Sequence, residues 1–211
     1  MTFAELKVTR QYLDALGDMG IVEPTEIQSK AIPRIRAGQD VIGIAQTGTG
    51  KTLAFLLPVM AMLSHAQGKG PRCVILTPAK ELALQIADVA KRLAANTDLR
   101  VEVVYGGVGH RAQQERMESG TDLVVATPGR FMELYLRNAF VTKNIEHLVL
   151  DEADRMFDMG FEPQIQMIVQ NIRPDRQTLL FSATFPQAVE KLARGVLTKP
   201  VQIIVGGISV V

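Results

Sequence analysis

The octapeptide Ala45-Gln46-Thr47-Gly48-Thr49-Gly50-Lys51-Thr52 joins the apolar run Val41–Ala45 to a second one, Leu53–Leu63. Strand, glycine-rich turn and helix in that order make an anion-binding loop. Gly48 and Gly50 permit backbone angles that aim successive N–H groups at one concave site. A helix starting near Lys51 adds its dipole and its free N–H donors. Lys51 is then placed to reach β- and γ-phosphates, and the Thr52 hydroxyl to ligate Mg²⁺. The strict phosphate-loop pattern opens with glycine and this one opens with Ala45, so an ordinary Gly-rich turn is the competing reading.

Outward from this loop the chain alternates. Runs rich in Val, Ile and Leu read as buried strands at Val41–Ala45, Cys73–Thr77, Val101–Tyr105, Asp122–Ala126, His147–Asp151, Thr178–Ser182 and Val201–Val205. Between them lie segments of helical period, such as Glu81, Leu82, Gln85, Ile86, Val89, Ala90 and Leu93. Continuous apolar strands separated by helices predict a doubly wound α/β domain. Its sheet is mainly parallel and twisted, of about seven strands, with helices on both faces. Two helices precede the first strand. Thr9 caps one that buries Leu13, Leu16 and Met19 and stops at Gly20, and Thr25 caps the next, with Glu26, Ile27 and Gln28 in its first turn. Ligands of such sheets bind beyond the carboxyl ends of the strands, which directs attention to the loops after Ala45, Thr77, Tyr105, Ala126, Leu150 and Ser182.

A triphosphate site needs a carboxylate near its metal at the end of a neighbouring strand. His147-Leu148-Val149-Leu150 ends in Asp151-Glu152-Ala153-Asp154. Asp151 is placed to hold the Mg²⁺ shell, directly or through water, and Glu152 to orient and deprotonate an attacking water. Alone, an acidic tetrad is usually a solvated helix start; after a fully apolar strand and a phosphate loop it reads as chemistry. Gly107-Val108-Gly109-His110-Arg111-Ala112 fits a variant of the dinucleotide fingerprint, but the following strand ends Val125-Ala126-Thr127 without the carboxylate that a ribose requires.

Composition narrows the remaining classes. With 47% hydrophobic residues the chain has ample material for a core, and Lys plus Arg (23) against Asp plus Glu (22) leaves no global basic excess, so a nucleic-acid partner has to be argued from local sites. Cys73 is the only cysteine, which excludes an intramolecular disulfide and a Cys-rich zinc site and favours a reducing compartment. Leu53–Leu63 is about half the ~20 residues that cross a bilayer, and no apolar signal core follows Glu5, Lys7 and Arg10. The expectation is a cytoplasmic protein, or a nuclear one in a eukaryote, without a membrane partner.

In order and spacing over essentially all 211 residues, these motifs resemble the first RecA-like, phosphate-loop domain of a DEAD-box RNA helicase. Asp151–Asp154 spells the tetrad that names the family, and alanine is normal at the first loop position there. Phe3 and the segment Gly20–Gln28, with Thr25 and Gln28, resemble the adenine-reading Q motif. The resemblance implies that Ala45 to Thr52 bind ATP, that Gln28 selects adenine through its donor–acceptor amide, and that Phe3 stacks on the base. Ser182-Ala183-Thr184 is similar to the coupling motif, with Asp154 as its partner. Pro78 and Lys80, Gly106-Gly107 and Thr127-Pro128-Gly129-Arg130 resemble elements that hold RNA by its backbone, independently of sequence. One motif departs from the family: Pro78-Ala79-Lys80-Glu81-Leu82-Ala83 stands where Pro-Thr-Arg-Glu-Leu-Ala is usual. Ala79 lacks a hydroxyl and Lys80 is a point charge without the planar fork of Arg, so weaker and more salt-sensitive RNA contact is expected.

The family further implies a second RecA-like domain whose arginine fingers complete the site, and nothing in the 211 residues matches its motifs. The domain is expected over residues 1–205, with an interdomain linker starting at residues 206–211. Alone it should be monomeric, bind Mg-ATP and one part of a single-stranded RNA, and turn over slowly. Another phosphate-loop motor acting on DNA, and a nucleotide-binding module that never hydrolyses, are the competing readings.

Overall fold

The structure, a computed structural model, describes residues 1–206. Two helices, α1 (Arg10–Asp18) and α2 (Glu26–Arg36), lead into β1 (Val41–Ile44) and α3 (Lys51–Leu63). Then follow β2 (Cys73–Leu76), α4 (Lys80–Leu93), β3 (Val101–Val104), α5 (Arg111–Ser119), β4 (Leu123–Ala126) and α6 (Pro128–Leu136). The last part comprises β5 (His147–Leu150), α7 (Ala153–Asp158), α8 (Glu162–Gln170), β6 (Gln177–Ser182), α9 (Gln187–Val196) and β7 (Val201–Ile204). All seven expected strands form, each within a residue of its expected ends, in one parallel sheet of order β3-β4-β2-β5-β6-β1-β7. The linker start expected at residues 206–211 lies outside the described residues except for Gly206.

Side chains alternate across the sheet into two cores. Val41, Cys73, Ile75, Leu123, Val125, Val149, Leu179 and Phe181 meet helices α1 to α4 on one face. Ile42, Ile44, Val74, Leu76, Val124, Leu148, Leu150 and Leu180 meet α5 to α9 on the other. Because both faces are covered, the strands read as unbroken apolar runs. α3 is apolar all round, and nearly every residue in it is buried. Its seat depends on a glycine. A Cβ on Gly43 would stand 2.5 Å from the Phe181 ring, which is paired with it on the neighbouring strand and packs on Phe55 of α3 at 5.4 Å between centroids.

The end of α1 follows the expected signals. Gly20 takes φ +74°, its N–H reaches Gly17 C=O at 3.0 Å, and Ile21 N–H reaches Leu16 C=O at 2.9 Å, a Schellman stop. Tyr12, Ala15 and Leu16 are the residues this helix buries, while Leu13 and Met19 are only partly covered. Phe3, expected over the base, is 3% exposed and belongs to the core with Leu6 and Tyr12.

The amino end of the sheet is tied by charge. Asp122, fully buried just before β4, accepts from Arg72 Nη2 and from Arg100 Nε and Nη2, each at 3.0 Å, and from the backbone N–H groups of Arg100 at 2.9 Å and Gln67 at 3.0 Å. Burial alone would raise its carboxyl, but the Arg100 side chain and backbone, Gln67 and Arg72 outweigh it and hold the pKa down at about 2.

Candidate functional site

Parallel strands bring the ends of β1 to β6 to one rim, and the order of the sheet divides it. β1, β6 and β5 lie side by side and carry Ala45–Thr52, Ser182–Thr184 and Asp151–Asp154. β2, β4 and β3 carry Thr77–Lys80, Thr127–Arg130 and Tyr105–Gly107.

On the first half the octapeptide forms the expected turn between strand and helix. Ala45 N–H holds Ser182 C=O at 3.1 Å, so the loop leaves β1 tied to β6. Thr49 Oγ1 donates to Gln46 C=O at 2.6 Å and closes the turn. Gly50 has φ +92° and ψ +23°, and its carbonyl accepts Gln28 Nε2–H at 3.0 Å. A Cβ on Gly50 would overlap Gln28 Nε2 and stand 2.9 Å from Thr25 Oγ1, so only glycine fits. Gln28 Oε1 in turn accepts Thr25 N–H at 2.9 Å. Gln28, 2% exposed, is therefore first a strut between the start of α2 and the phosphate loop. Its amide retains one N–H and one lone pair, the pair that adenine would need.

Lys51 enters α3 with its side chain 6% exposed, and its Nζ, fully shielded, has no hydrogen-bond partner. The closest acid is Glu152 Oε1 at 3.9 Å, an ion pair without a hydrogen bond. Glu152 reaches this position through a left-handed backbone, φ +55° and ψ +47°, which costs about 1–2 kcal/mol in a residue other than glycine. Asp151 accepts the Glu152 N–H at 3.0 Å. Burial first, and then the Glu152 charge, push its carboxyl up to about 7, partly offset by Lys51. Two crowded carboxylates thus stand beside an ammonium that has an ion pair but no hydrogen bond. A cavity of about 430 Å³ opens here, lined by Thr47, Gly48, Gly50, Lys51, Thr52, Asp151, Glu152 and, on α4, Leu82, Gln85, Ile86 and Val89. Among the described residues no cluster of three or more His, Cys, Asp or Glu exists that would hold a metal unaided. One carboxylate (Asp151) and one hydroxyl (Thr52) therefore suit an ion that takes its other ligands from phosphate and water.

Asp154, Ser182 and Thr184, read from the sequence as coupling residues, are in direct contact. Thr184 Oγ1 and N–H donate to Asp154 Oδ2 at 2.8 and 3.2 Å, Ser182 Oγ accepts the Asp154 N–H at 3.2 Å, and Ser182 Oγ donates to Thr184 C=O at 2.6 Å.

On the second half of the rim, Gly106, Gly107, Gly129 and Lys80 are exposed, Pro78 and Pro128 are buried, and Thr127 is half-buried at the cap of α6 with Pro128 in its first turn. Lys80 Nζ stands 5.3 Å over the Tyr105 ring. Arg130 departs from expectation: it is 9% exposed, and its guanidinium donates to Val108 C=O at 2.7 Å, Glu133 Oε2 at 3.0 Å and Gln113 Oε1 at 3.1 Å. Three of its five N–H groups are thus held within the protein. Phe3 does not line the phosphate cavity.

Comparison with known proteins points the same way. The chain is 48% identical over its whole length to the human "Probable ATP-dependent RNA helicase DDX46" and 47% to the "Pre-mRNA-processing ATP-dependent RNA helicase prp11" of Schizosaccharomyces pombe. It spans 21% of the length of each. Among solved structures, a DEAD box protein from the hyperthermophile Methanococcus jannaschii superposes with a TM-score of 0.91 at 34% identity, covering 97% of this chain and 56% of the other. The sheet is thus of the RecA-like kind, and the family model "DEAD/DEAH box helicase" matches residues 25–192. This chain belongs to the DEAD/DEAH box helicase family.

Proposed function

We propose that the chain is the Mg-ATP-binding RecA-like domain of an RNA-dependent ATPase that remodels RNA duplexes. The observation that carries this reading is the Lys51 ammonium, buried without a hydrogen-bond partner at the mouth of a loop of backbone donors and facing Glu152. A buried ammonium whose N–H groups meet no acceptor is costly unless a ligand completes it. A triphosphate does so.

In this reading the loop amides and Lys51 hold the β- and γ-phosphates and neutralise charge that develops on the transferred group. Thr52 and Asp151 hold Mg²⁺, which supplies further charge neutralisation on the phosphate oxygens. Glu152 accepts a proton from the attacking water, and its left-handed backbone aims the carboxylate at that position. The remaining N–H and lone pair of Gln28 read adenine, and because the same amide braces Gly50, the base and the phosphate loop share one strut. Asp154, Ser182 and Thr184 pass the state of the nucleotide to the interface with a second RecA-like domain.

Gly106, Gly107 and Gly129 offer RNA exposed backbone and Lys80 an ammonium, with Thr127 half-buried beside them and Pro78 and Pro128 shaping the turns from below, a surface suited to phosphates and without means to read bases. An arginine finger from a second domain is worth about 10³–10⁵ in rate in comparable phosphoryl transfers, so the 211 residues alone should bind nucleotide as a monomer and hydrolyse it slowly. Steady-state ATPase, measured with single-stranded RNA, with DNA and with neither, tests this in the 211 residues and in a longer chain that carries a second domain. RNA-specific stimulation confined to the longer chain is expected. Equal stimulation by DNA would indicate a DNA motor, and normal biological function of a non-hydrolysing variant would indicate a nucleotide-sensing module.

A further inference from the structure

Gln113 on α5 belongs to none of the motifs read above. Its side chain is nevertheless 3% exposed and makes three hydrogen bonds. Oε1 accepts Tyr105 N–H and Arg130 Nη1–H, and Nε2 donates to Tyr105 C=O, all at 3.1 Å. Tyr105 follows the edge strand β3, so no strand lies beyond it to pair with its backbone, and the Gln113 amide takes that strand's place. Arg130, gripped by the same Oε1, extends to Val108 C=O at 2.7 Å and thus holds the loop that begins at Gly106 and Gly107. Through the Tyr105 ring the arrangement also supports Lys80, 5.3 Å from its centroid.

One buried amide therefore holds Tyr105 after β3 and Arg130 after β4 directly, and through them is linked to the glycine loop at Val108 and to the lysine after β2. We infer that Gln113 is a positioning residue for RNA binding, and that Arg130 serves the same clasp instead of touching phosphate. The inference rests on the RNA-binding reading proposed above. It has a physical basis in preorganisation: exposed glycines lose much conformational entropy when RNA orders them, and a loop pinned beforehand at Tyr105 and Val108 loses less on binding.

The test uses the 211-residue chain with Mg-ADP and a fluorescent single-stranded oligo-uridine, followed by anisotropy over a range of salt concentrations. Gln113→Ala should weaken RNA binding by about tenfold while Mg-ADP affinity stays within about twofold, and amide exchange at residues 106–109 should accelerate. Gln113→Glu keeps both acceptor contacts but turns a carboxylate oxygen toward Tyr105 C=O, so it should loosen Tyr105 and weaken RNA binding while Arg130 stays held. Arg130→Gln separates the two roles of the arginine. As part of the clasp its loss lowers affinity with the salt slope unchanged, whereas a direct phosphate contact would reduce the slope by about 1. The inference is overturned if Gln113→Ala binds RNA as the parent does, or if Arg130→Gln flattens the salt dependence. Should Gln113→Ala fail to fold, Gln113→Glu and Arg130→Gln still decide it. Absence of RNA binding by the unsubstituted chain at low salt overturns the RNA reading itself, a result obtained before any substitution is made.

Discussion

Replacing Gly50 by alanine adds one methyl group at the point where the Q-motif segment braces the phosphate loop. The backbone there, φ +92°, costs an alanine about 1–2 kcal/mol. The methyl group also overlaps Gln28 Nε2 and comes within 2.9 Å of Thr25 Oγ1, so Gln28 must leave its place and release its hydrogen bond to Gly50 C=O. A lost bond of that kind is worth about 0.5–1.5 kcal/mol and an off-rotamer side chain a similar amount, giving about 2–5 kcal/mol in all. In a chain of this size each kcal/mol lowers Tm by about 2–4 °C. Gly48 provides the control. It too has positive φ, +84°, but a Cβ there meets nothing within 4 Å, so Gly48→Ala should cost the backbone term alone. Urea denaturation of both variants, alone and combined with Gln28→Ala, separates the contributions. The Gly50→Ala penalty should be the larger and should shrink when Gln28 is already absent, while the Gly48→Ala penalty should not change. Equal penalties, or strict additivity with Gln28→Ala at both sites, would refute the strut between α2 and the loop.

Asp122→Asn keeps the shape of the carboxylate and strands two arginines, which should cost about 3 kcal/mol or more in chemical denaturation. The held-down carboxyl of Asp122 contributes stability that is complete above its ordinary value of 3.8 and disappears as pH falls through about 2. The parent should therefore lose about 2 kcal/mol more than Asp122→Asn between about pH 5 and pH 2, and parallel pH profiles would contradict this. Glu152→Gln should retain Mg-ADP binding and slow hydrolysis by about 10²–10⁴ in a longer chain with a second domain, and an unchanged rate would remove Glu152 as the base. Replacing Ala79-Lys80 by Thr-Arg should tighten RNA binding and lessen its loss in salt. Titrations that superimpose with the parent's at every salt concentration would dismiss that motif difference.

The sheet was legible because every strand but the edge strand β7 is largely buried on both faces and appears as a short run of Val, Ile and Leu between turns. Even the one-residue differences have a cause: Ala45, Thr77, Asp151 and Val205 each still donate an N–H to the neighbouring strand, at Ser182, Ala126, Leu76 and Ile44, one residue past the last paired position. The phosphate loop and the acidic tetrad were legible for a different reason, since their chemistry is local and depends on residues adjacent in sequence. What escaped is long-range. Nothing near Gln28 announces that its amide will meet Gly50, 22 residues away. Arg72, Arg100 and Asp122 show no spacing that pairs them until β2, β3 and β4 align their amino ends. Glu152 read as an acid after a strand, but its positive φ, which aims it at Lys51, belongs to the turn between β5 and α7 and not to the residue type. Arg130 was read by the likeness of Thr127–Arg130 to an RNA-holding element, and its bonds to Gln113 and Val108 join residues 17 and 22 positions away. Phe3 was assigned to the base by likeness, whereas the core around Leu6 and Tyr12 had room for its ring.

A crystal grown with Mg-ADP tests most directly whether a buried ammonium and a loop of amides exist to grip a nucleotide. The account predicts β-phosphate oxygens on the amides of Gly48 to Lys51 and on Lys51 Nζ, the cation beside Thr52, and the adenine edge at Gln28. Nucleotide density elsewhere on the molecule, or a guanine nucleotide that displaces ADP with equal affinity, would contradict it.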